Sequence, residues 1–382
     1  MYHASTTEQD LKLLALTRYT ALGASSRLRF EQYFPYLESH GVSVIAAPLL
    51  DEAYLRRLYG NQGRSPWHLL GRYRQRLHDL LIAGRYDLIW LEKEFLPWLP
   101  YCIEAWMAKR LPPLVIDYDD AIFHNYDQHP FLLVRRLLGN KIARLVKQSA
   151  LVVAGNPYLA DYMRRAGAPV VHILPTVIDL ERYSVGAVER REEFRIGWIG
   201  SPSTVRYLTD VLPAMEVLAR EFPLRLILIG GKLACQQAFA VTELPWSEST
   251  EVRDIGSLDV GIMPLPDEAW ERGKCGYKLV QYMACGKPVI ASPVGVNEAI
   301  ISENEECGLL ASNTQSWIDS IRTLAGDAKL RQRLGQTGRR KVEAEYCVQA
   351  TAPVLLALLR AARRHPTLLS KHTKLAERLG MP

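Results

Sequence analysis

Along most of the chain a short apolar run is followed by a longer stretch of helical spacing, and this alternation repeats. Residues 11–17, 42–48, 86–92, 114–118, 151–154 and 170–174 read as strands, with helical patterns between them, for example at 29–40 and 135–147. Such alternation argues a parallel sheet wrapped by helices. A second set of runs lies at 194–199, 224–229, 260–264 and 288–291. Residues 179–193, polar and charged with a Val-Gly break, predict an interdomain linker, and a last helix near 350–364 is expected to fold back across it. The pattern therefore predicts an α/β chain of two doubly wound, Rossmann-like domains facing across a cleft. They are expected at residues 1–185 and 186–349, with 350–382 forming the returning helix and a basic tail. In such sheets ligands bind beyond the carboxyl ends of the strands, near glycine-containing turns.

Length agrees with that division: 382 residues suit two α/β domains of roughly 150–200 residues each. Apolar residues make up 48% and charged residues 23%, ordinary for a globular protein, and no stretch approaches the ~20 apolar residues that span a bilayer. The amino terminus lacks a basic and an apolar signal region, so a cytoplasmic location is expected. Cys102, Cys235, Cys275, Cys285, Cys307 and Cys347 form no CxxC pair and read as reduced, mostly buried thiols. A net charge of +6 suits an anionic ligand or membrane surface, and no aromatic-basic module points to nucleic acid.

Two segments of the second half carry candidate chemistry. In the first, the run 194–199 ends at Gly200 and passes into Ser201, Ser203 and Thr204. A helix starting near Pro202 or Ser203 would offer free N–H groups to a phosphate, with Arg206 adding charge; the plainer reading is a tight strand-turn-helix. The second runs Arg272-Gly-Lys-Cys-Gly-Tyr-Lys-Leu-Val-Gln-Tyr-Met-Ala-Cys-Gly-Lys-Pro-Val-Ile-Ala-Ser. It predicts a glycine turn at Gly276, a helix from Tyr277 to Ala284, a Cys-Gly stop and a buried strand. Arg272, Lys274 and Lys278 collect at the start of that helix, where cations oppose the dipole and make sense around an anion; solvated surface lysines are the alternative. Gln281, one turn on, could hydrogen-bond a ribose. Glu268 and Glu271 read as solvated loop residues.

This second segment resembles the donor-site motif of the family-four retaining glycosyltransferases, which have the GT-B fold. Gln281 to Ser292 follows its ending closely. Val294-Gly-Val-Asn297, Cys307-Gly-Leu-Leu310, Gly155-Asn-Pro-Tyr-Leu159, Leu174-Pro-Thr-Val-Ile-Asp179 and Tyr183 extend the likeness over nearly the whole chain. The resemblance implies a nucleotide-sugar donor on the second domain, a glycan or lipid-linked acceptor of the cell envelope on the first, retention of configuration, and neither metal nor cofactor. By position Arg206 stands at the family's diphosphate-binding lysine and Ser201 at its arginine. Gly273 and Gln281 stand at the two glutamates of the Glu-x7-Glu motif, so both glutamates and the arginine are replaced. Lys274 and Lys278 would supply the missing positive charge. Loss of both glutamates is also what a non-catalytic scaffold or glycan-binding homologue would show.

In the first half, the run 114–118 leads directly into Asp119 and Asp120, with His124 four residues on. Carboxylates there could bind sugar hydroxyls or accept the acceptor's proton; one capping the next helix and one solvated is the equal alternative. A metal site from Asp117, Asp119 and Asp120 has weak support. After the first run, Gly23 permits close approach of a ligand, and Ser25 or Ser26 can cap the next helix. Arg27 and Arg29 could face an anionic acceptor or coat the helix exterior, and Glu92-Lys-Glu94 is similarly placed. The catalytic candidates are thus Asp119, Asp120 and Lys278. Gly200, Ser201, Arg206, Lys274, Gly276, Tyr277 and Gln281 form the donor side, and Gly23, Arg27 and His124 the acceptor side. Finally, 132–148 sets Arg135, Arg136, Lys141, Arg144 and Lys147 among leucines, and the tail adds Arg363, Arg364, Lys371, Lys374 and Arg378. Such a pattern is either an ordinary surface helix or one that lies on anionic lipid, peripheral to the inner face of the plasma membrane.

Overall fold

The computed structural model describes residues 10–59, 65–108, 111–186, 192–234, 236–302 and 306–364. Cys235, Lys371, Lys374 and Arg378 lie outside them. The strands are β1 (Leu11–Leu16), β2 (Val42–Ala46), β3 (Leu88–Glu92), β4 (Leu114–Tyr118), β5 (Leu151–Ala154), β6 (Val171–Ile173), β7 (Phe194–Ile199), β8 (Leu224–Ile229), β9 (Ala240–Leu244), β10 (Val260–Met263), β11 (Val289–Ala291) and β12 (Gly308–Leu310). They form two six-stranded sheets, ordered β2-β1-β3-β4-β5-β6 and β12-β11-β10-β7-β8-β9. Every pairing is parallel. This is the doubly wound α/β architecture that the apolar runs predict. The edge strands β9 and β12 were not expected. Neither carries a long apolar run, because an edge strand is covered on fewer sides than a central one.

The chain divides into a first unit of residues 1–175 and 351–382 and a second of 176–350. The boundary falls ahead of the expected 185/186 because residues 178–183 pack within the second unit. Ile178 bridges to Cys347, the Gln349 amide donates to Asp179 at 2.7 Å, and the Tyr183 hydroxyl donates to Glu251. The last helix, Val348–Arg364, belongs to the first unit from Thr351 onward; there the Thr351 and Tyr33 hydroxyls lie 2.9 Å apart and Arg360 donates to the His40 carbonyl at 2.8 Å. No helix among the described residues is long and apolar enough to cross a membrane. Among the described residues, Cys275, Cys285, Cys307 and Cys347 are buried, while Cys102 is exposed.

Two continuous helical patterns are broken in the structure. The stretch 29–40 is split into Ala24–Arg29, a 3₁₀ turn at Glu31–Tyr33, and Phe34–Ser39. Phe30 leaves helical geometry between them and stacks on Trp90 at 4.1 Å. The first helix has Gly23 as its N-cap, so neither Ser25 nor Ser26 caps it. The stretch 132–148 becomes two helices, Leu132–Leu138 and Lys141–Val146, separated at Gly139-Asn140.

Arg29 neither faces solvent nor an acceptor. Its guanidinium grips Asp117 of β4 with two bonds, 2.7 and 3.0 Å, and donates to the carbonyls of Leu174 and Pro175 at 2.8 Å each. Both partners of this ion pair are 1% exposed, so it ties the first helix to β4 inside the fold. Removing one partner strands the other charge in the interior. Asp117→Ala is expected to lower the unfolding free energy by about 3–5 kcal/mol, and the double replacement Arg29→Met/Asp117→Leu by clearly less. Chemical denaturation of the three proteins checks the order.

Candidate functional site

In the second sheet the order reverses between β7 and β10: β8 and β9 continue on one side of β7, and β10 starts the other side. A crevice forms beyond the carboxyl ends of strands at such a reversal. Gly200 and Ser201 follow β7 there, and the segment after β10 leads to the Tyr277–Ala284 helix. That helix is locked on the sheet by Tyr282. A Cβ on Gly261 of β10 would come within 2.2 Å of the Tyr282 ring, so only glycine admits it. The Ile199 amide of β7 donates to the Tyr282 hydroxyl at 2.9 Å.

Lys278 lies one turn before Tyr282 and shares its face of the helix. Its ammonium sits 4.2 Å from the centre of the Trp198 ring. A Cβ on Gly200 would stand 2.8 Å from the Lys278 Nζ and 2.6 Å from the Trp198 ring. The glycine after β7 therefore makes room for a cation delivered by the helix after β10. Burial, and then the nearby Lys274 ammonium, pull the Lys278 pKa down to about 7. No carboxylate among the described residues offsets that pull; the Trp198 face is the compensation present. Lys274 itself lies 5.3 Å from the Trp270 ring.

Arg206 is exposed and spreads over Tyr207, 4.0 Å from the Glu271 carboxylate. It stands on a 3₁₀ helix, Pro202–Asp210, whose N-cap Ser201 makes no side-chain cap but bonds the Ser203 hydroxyl at 3.0 Å. Glu271 is not the solvated residue that its loop position suggests. It is 2% exposed and accepts from the Tyr207 hydroxyl, while its second oxygen has no protein partner. Glu268 is exposed. Arg272 is exposed and bonds Asp267 at 2.6 and 3.0 Å. Gly276 caps the Tyr277–Ala284 helix at φ +66, a left-handed geometry that suits glycine, and the Ile300 side chain fills the space where a Cβ would stand. Close to Gly276 lies Asn297, fully buried, with its Oδ1 unpartnered. Tyr277 is half-buried. Gln281 is buried and donates to the Tyr183 hydroxyl at 3.5 Å, beside Glu251, which also accepts from the Trp246 indole at 2.5 Å. A separate hollow, lined by Gly286, Gln336 and Arg339, opens ahead of β11 at the opposite strand ends. There Arg339 donates to the Tyr183 carbonyl at 2.8 Å and to Glu343, and exposed Arg340 lines the hollow beside it.

In the first sheet the order reverses between β1 and β3. Beyond these strand ends several charges are paired, while buried Arg76 donates to the carbonyls of Thr17 and Ala47 at 2.6 and 3.1 Å and keeps Nε and Nη1 unpartnered. Lys93, held at φ +66, extends its ammonium to Asp119 at 2.8 Å, to Ser25 at 3.3 Å and to Asp120 at 3.7 Å. Burial alone would raise the Asp119 pKa; the Lys93 charge and hydrogen bonds overcome it and hold the carboxyl down at about 2. Asp119 is therefore a permanent anion near neutral pH. Glu92 receives the Ser26 hydroxyl at 2.6 Å and the Arg18 amide at 2.7 Å. Lys141 is buried between Glu94 at 2.7 Å and Glu104 at 3.0 Å, which removes it from the basic surface read along 132–148. His124 has both ring nitrogens engaged, 2.9 Å from Asp127 and 2.8 Å from the Tyr158 hydroxyl. Gly23 is crowded by the Tyr19 side chain, and half-buried Arg27 donates to the Ala21 carbonyl at 2.8 Å. Of the three aspartates of the suggested metal site, Asp117 is taken by Arg29, and Asp119 and Asp120 both face Lys93.

Sequence reasoning named Lys93 only within Glu92-Lys-Glu94 and Glu271 only as a solvated loop residue, and it did not single out Trp198. The signal for Lys93 and Trp198 is position: each lies at or just beyond a strand's carboxyl end.

Residues 193–327 match the family model described as Glycosyl transferases group 1. HepE of Anabaena, solved with UDP and glucose, superposes with a TM-score of 0.66 at 16% identity over 92% of this chain and 99% of that one. Sucrose-phosphate synthase of Thermosynechococcus elongatus gives 0.64 at 14% identity, covering 92% and 98%. A glycosyltransferase of Rickettsia africae gives 0.67 at 10% identity, covering 93% and 99%. No curated protein matches the chain in sequence. The residues matched by that family model lie within the second unit, and the chain has the GT-B fold of two Rossmann-like domains.

Gly200→Ala tests the packing around Lys278. The added methyl must displace the Trp198 ring or the ammonium, and thermal unfolding is expected to show a loss of about 1–3 kcal/mol.

Proposed function

We propose that this chain, with its match to the group 1 glycosyl transferases and its GT-B fold, moves a sugar from a nucleotide-sugar donor to a cell-envelope glycan or lipid-linked acceptor, with retention of configuration. The observation that carries the reading is the Lys278 ammonium, lodged beside Gly200 at the strand reversal with no carboxylate among the described residues to offset it. A partly buried cation of this kind is a standing demand for an anion. A diphosphate is the anion suited to it. Charge grows on the leaving nucleoside diphosphate as the sugar departs, and a fixed ammonium stabilises that charge more than it stabilises the ground state. Lys274 and Arg206 add positive charge on the same side of the sheet, where Gly200, Ser201 and Gly276 let the backbone come near. HepE binds UDP and glucose with the same fold, which supports a nucleotide-sugar ligand here.

The two replaced motif glutamates need a substitute, and Glu271 supplies one. It is buried next to Arg206 with one oxygen unpartnered, and that oxygen can accept a hydroxyl of the donor sugar. Gln281, steadied by Tyr183, takes the ribose, with Tyr277 beside it. On the first unit Asp119 and Asp120 orient the acceptor hydroxyl, Lys93 keeps Asp119 ionised, and His124, Arg27 and Gly23 shape the acceptor side. A lipid-linked acceptor is met at a membrane face, so peripheral contact with the inner face of the plasma membrane suits the reading.

A second reading, a scaffold that binds ligand without transfer, separates cleanly in the assay. Donor turnover is followed by release of nucleoside diphosphate, with binding measured in parallel by calorimetry. Lys278→Met is expected to lower kcat by on the order of a hundredfold while the protein stays folded. Glu271→Gln is expected to act mainly on turnover, and Asp119→Asn on the acceptor-dependent rate rather than on donor hydrolysis. Binding without release of diphosphate by the unaltered protein, across the common nucleotide sugars, would favour the scaffold; absence of binding as well would remove both readings.

A further inference from the structure

The Leu132–Leu138 helix of the first unit presents apolar side chains outward. Phe131, Leu132, Leu133 and Leu137 are 70%, 68%, 67% and 57% exposed, and only Leu138 of the helix turns fully inward. Leu132 and Leu133 stand one turn from Arg136 and Leu137, so leucines and an exposed arginine share one face. The surface continues beyond the helix. Phe131 lies 5.4 Å from the His129 ring, and His129 lies 5.9 Å from Trp98, which is 50% exposed. Trp98 adopts φ +62, an outlier for so bulky a residue, and is held there by its amide bond to the Tyr126 hydroxyl at 3.1 Å. Tyr126 is anchored in turn on Glu94, and Glu94 on buried Lys141. The polar network below thus fixes an indole at the surface next to a row of leucines.

From this arrangement we infer that the face formed by Trp98, Phe131, Leu132, Leu133, Leu137 and Arg136 docks onto an anionic lipid bilayer. Leucine and phenylalanine enter the acyl boundary, and tryptophan settles at the headgroup level. The charge selects among occupants. Arg135 and Arg136 are exposed on the same helix as the apolar row, and Arg135 is braced by the His129 carbonyl at 2.7 Å. A second copy of the chain seated on this face by a two-fold axis would bring these arginines against their own counterparts. An anionic headgroup layer is attracted by both. Nucleic acid would leave the leucines uncovered.

The inference deepens the acceptor side of the proposed function without depending on it, since vesicle binding needs neither donor nor acceptor. The test is co-sedimentation of the full chain with vesicles of phosphatidylcholine alone and with about a third phosphatidylglycerol. The chain is expected to bind the mixed vesicles, weakly bind the neutral ones, and lose affinity as salt rises. Leu132→Ser/Leu133→Ser/Leu137→Ser is expected to weaken binding by on the order of a hundredfold. Arg136→Glu, at an exposed position that cannot unfold the core, is expected to weaken it by about tenfold or more. Binding of both variants at the unaltered level would place the lipid contact elsewhere and overturn the inference. Failure of the unaltered chain to bind mixed vesicles would overturn it too, as would a dimer of that chain that the triple replacement converts to monomer.

Discussion

A lysine ammonium packed against a glycine and an indole, with another lysine as its charged neighbour, is the interaction on which the second unit's chemistry depends. Lys278 reaches that place through three separate constraints. Gly261 admits the Tyr282 ring, the Ile199 amide fixes its hydroxyl, and Gly200 leaves space for the ammonium one helical turn away. Each constraint is steric or hydrogen-bonded and none is electrostatic, so the scaffold can hold a cation where electrostatics alone would expel it. Trp198 offers its ring face, a partial compensation that a full negative charge can exceed. The fold bears the cost of the unpaired charge, and an anion recovers it.

The first unit pairs three of its buried cations with carboxylates. Arg29 is matched by Asp117, Lys93 by Asp119 and Asp120, and Lys141 by Glu94 and Glu104. Paired interior charges add little net stability over a well-packed apolar core, but they make the arrangement intolerant of removing one partner. Here they set geometry: Lys93 holds an ionised aspartate at the end of β4, and Lys141 braces the loop that carries Trp98. In the first unit carboxylates are positioned by matching them, although buried Arg76 there is bonded to backbone carbonyls alone. In the second, Lys278 is a cation that no carboxylate among the described residues offsets.

Much of this was legible in the chain. Ten of the twelve strands were marked by apolar runs, and the helix from Tyr277 to Ala284 by its glycine stops. Lys274 and Lys278 stood out, with Arg272, because cations near a helix start and a glycine turn are locally unfavourable, and Arg206 because it follows the Gly200 turn. What stayed hidden was the burial of charge. Arg29, Lys141 and Glu271 look like surface residues in sequence, since their partners Asp117, Glu94 and Tyr207 lie far along the chain and are met only when the sheets form. Arg272, by contrast, is exposed and bonded to Asp267 five residues earlier. The helix breaks at Phe30 and Gly139 were equally silent, because the stacking of Phe30 on Trp90 and the burial of Lys141 are tertiary demands that override helical spacing.

The protonation of Lys278 is therefore the quantity to measure. Side-chain NMR of lysine-labelled protein, with the resonance identified by its loss in Lys278→Met, follows the Nζ through a pH titration without and with a saturating nucleoside diphosphate. The free protein should titrate at about 7, and the bound anion should raise that midpoint by about a unit or more. A Lys278 midpoint near the ordinary ~10.4 of a solvated lysine, unmoved by the nucleotide, would contradict the account.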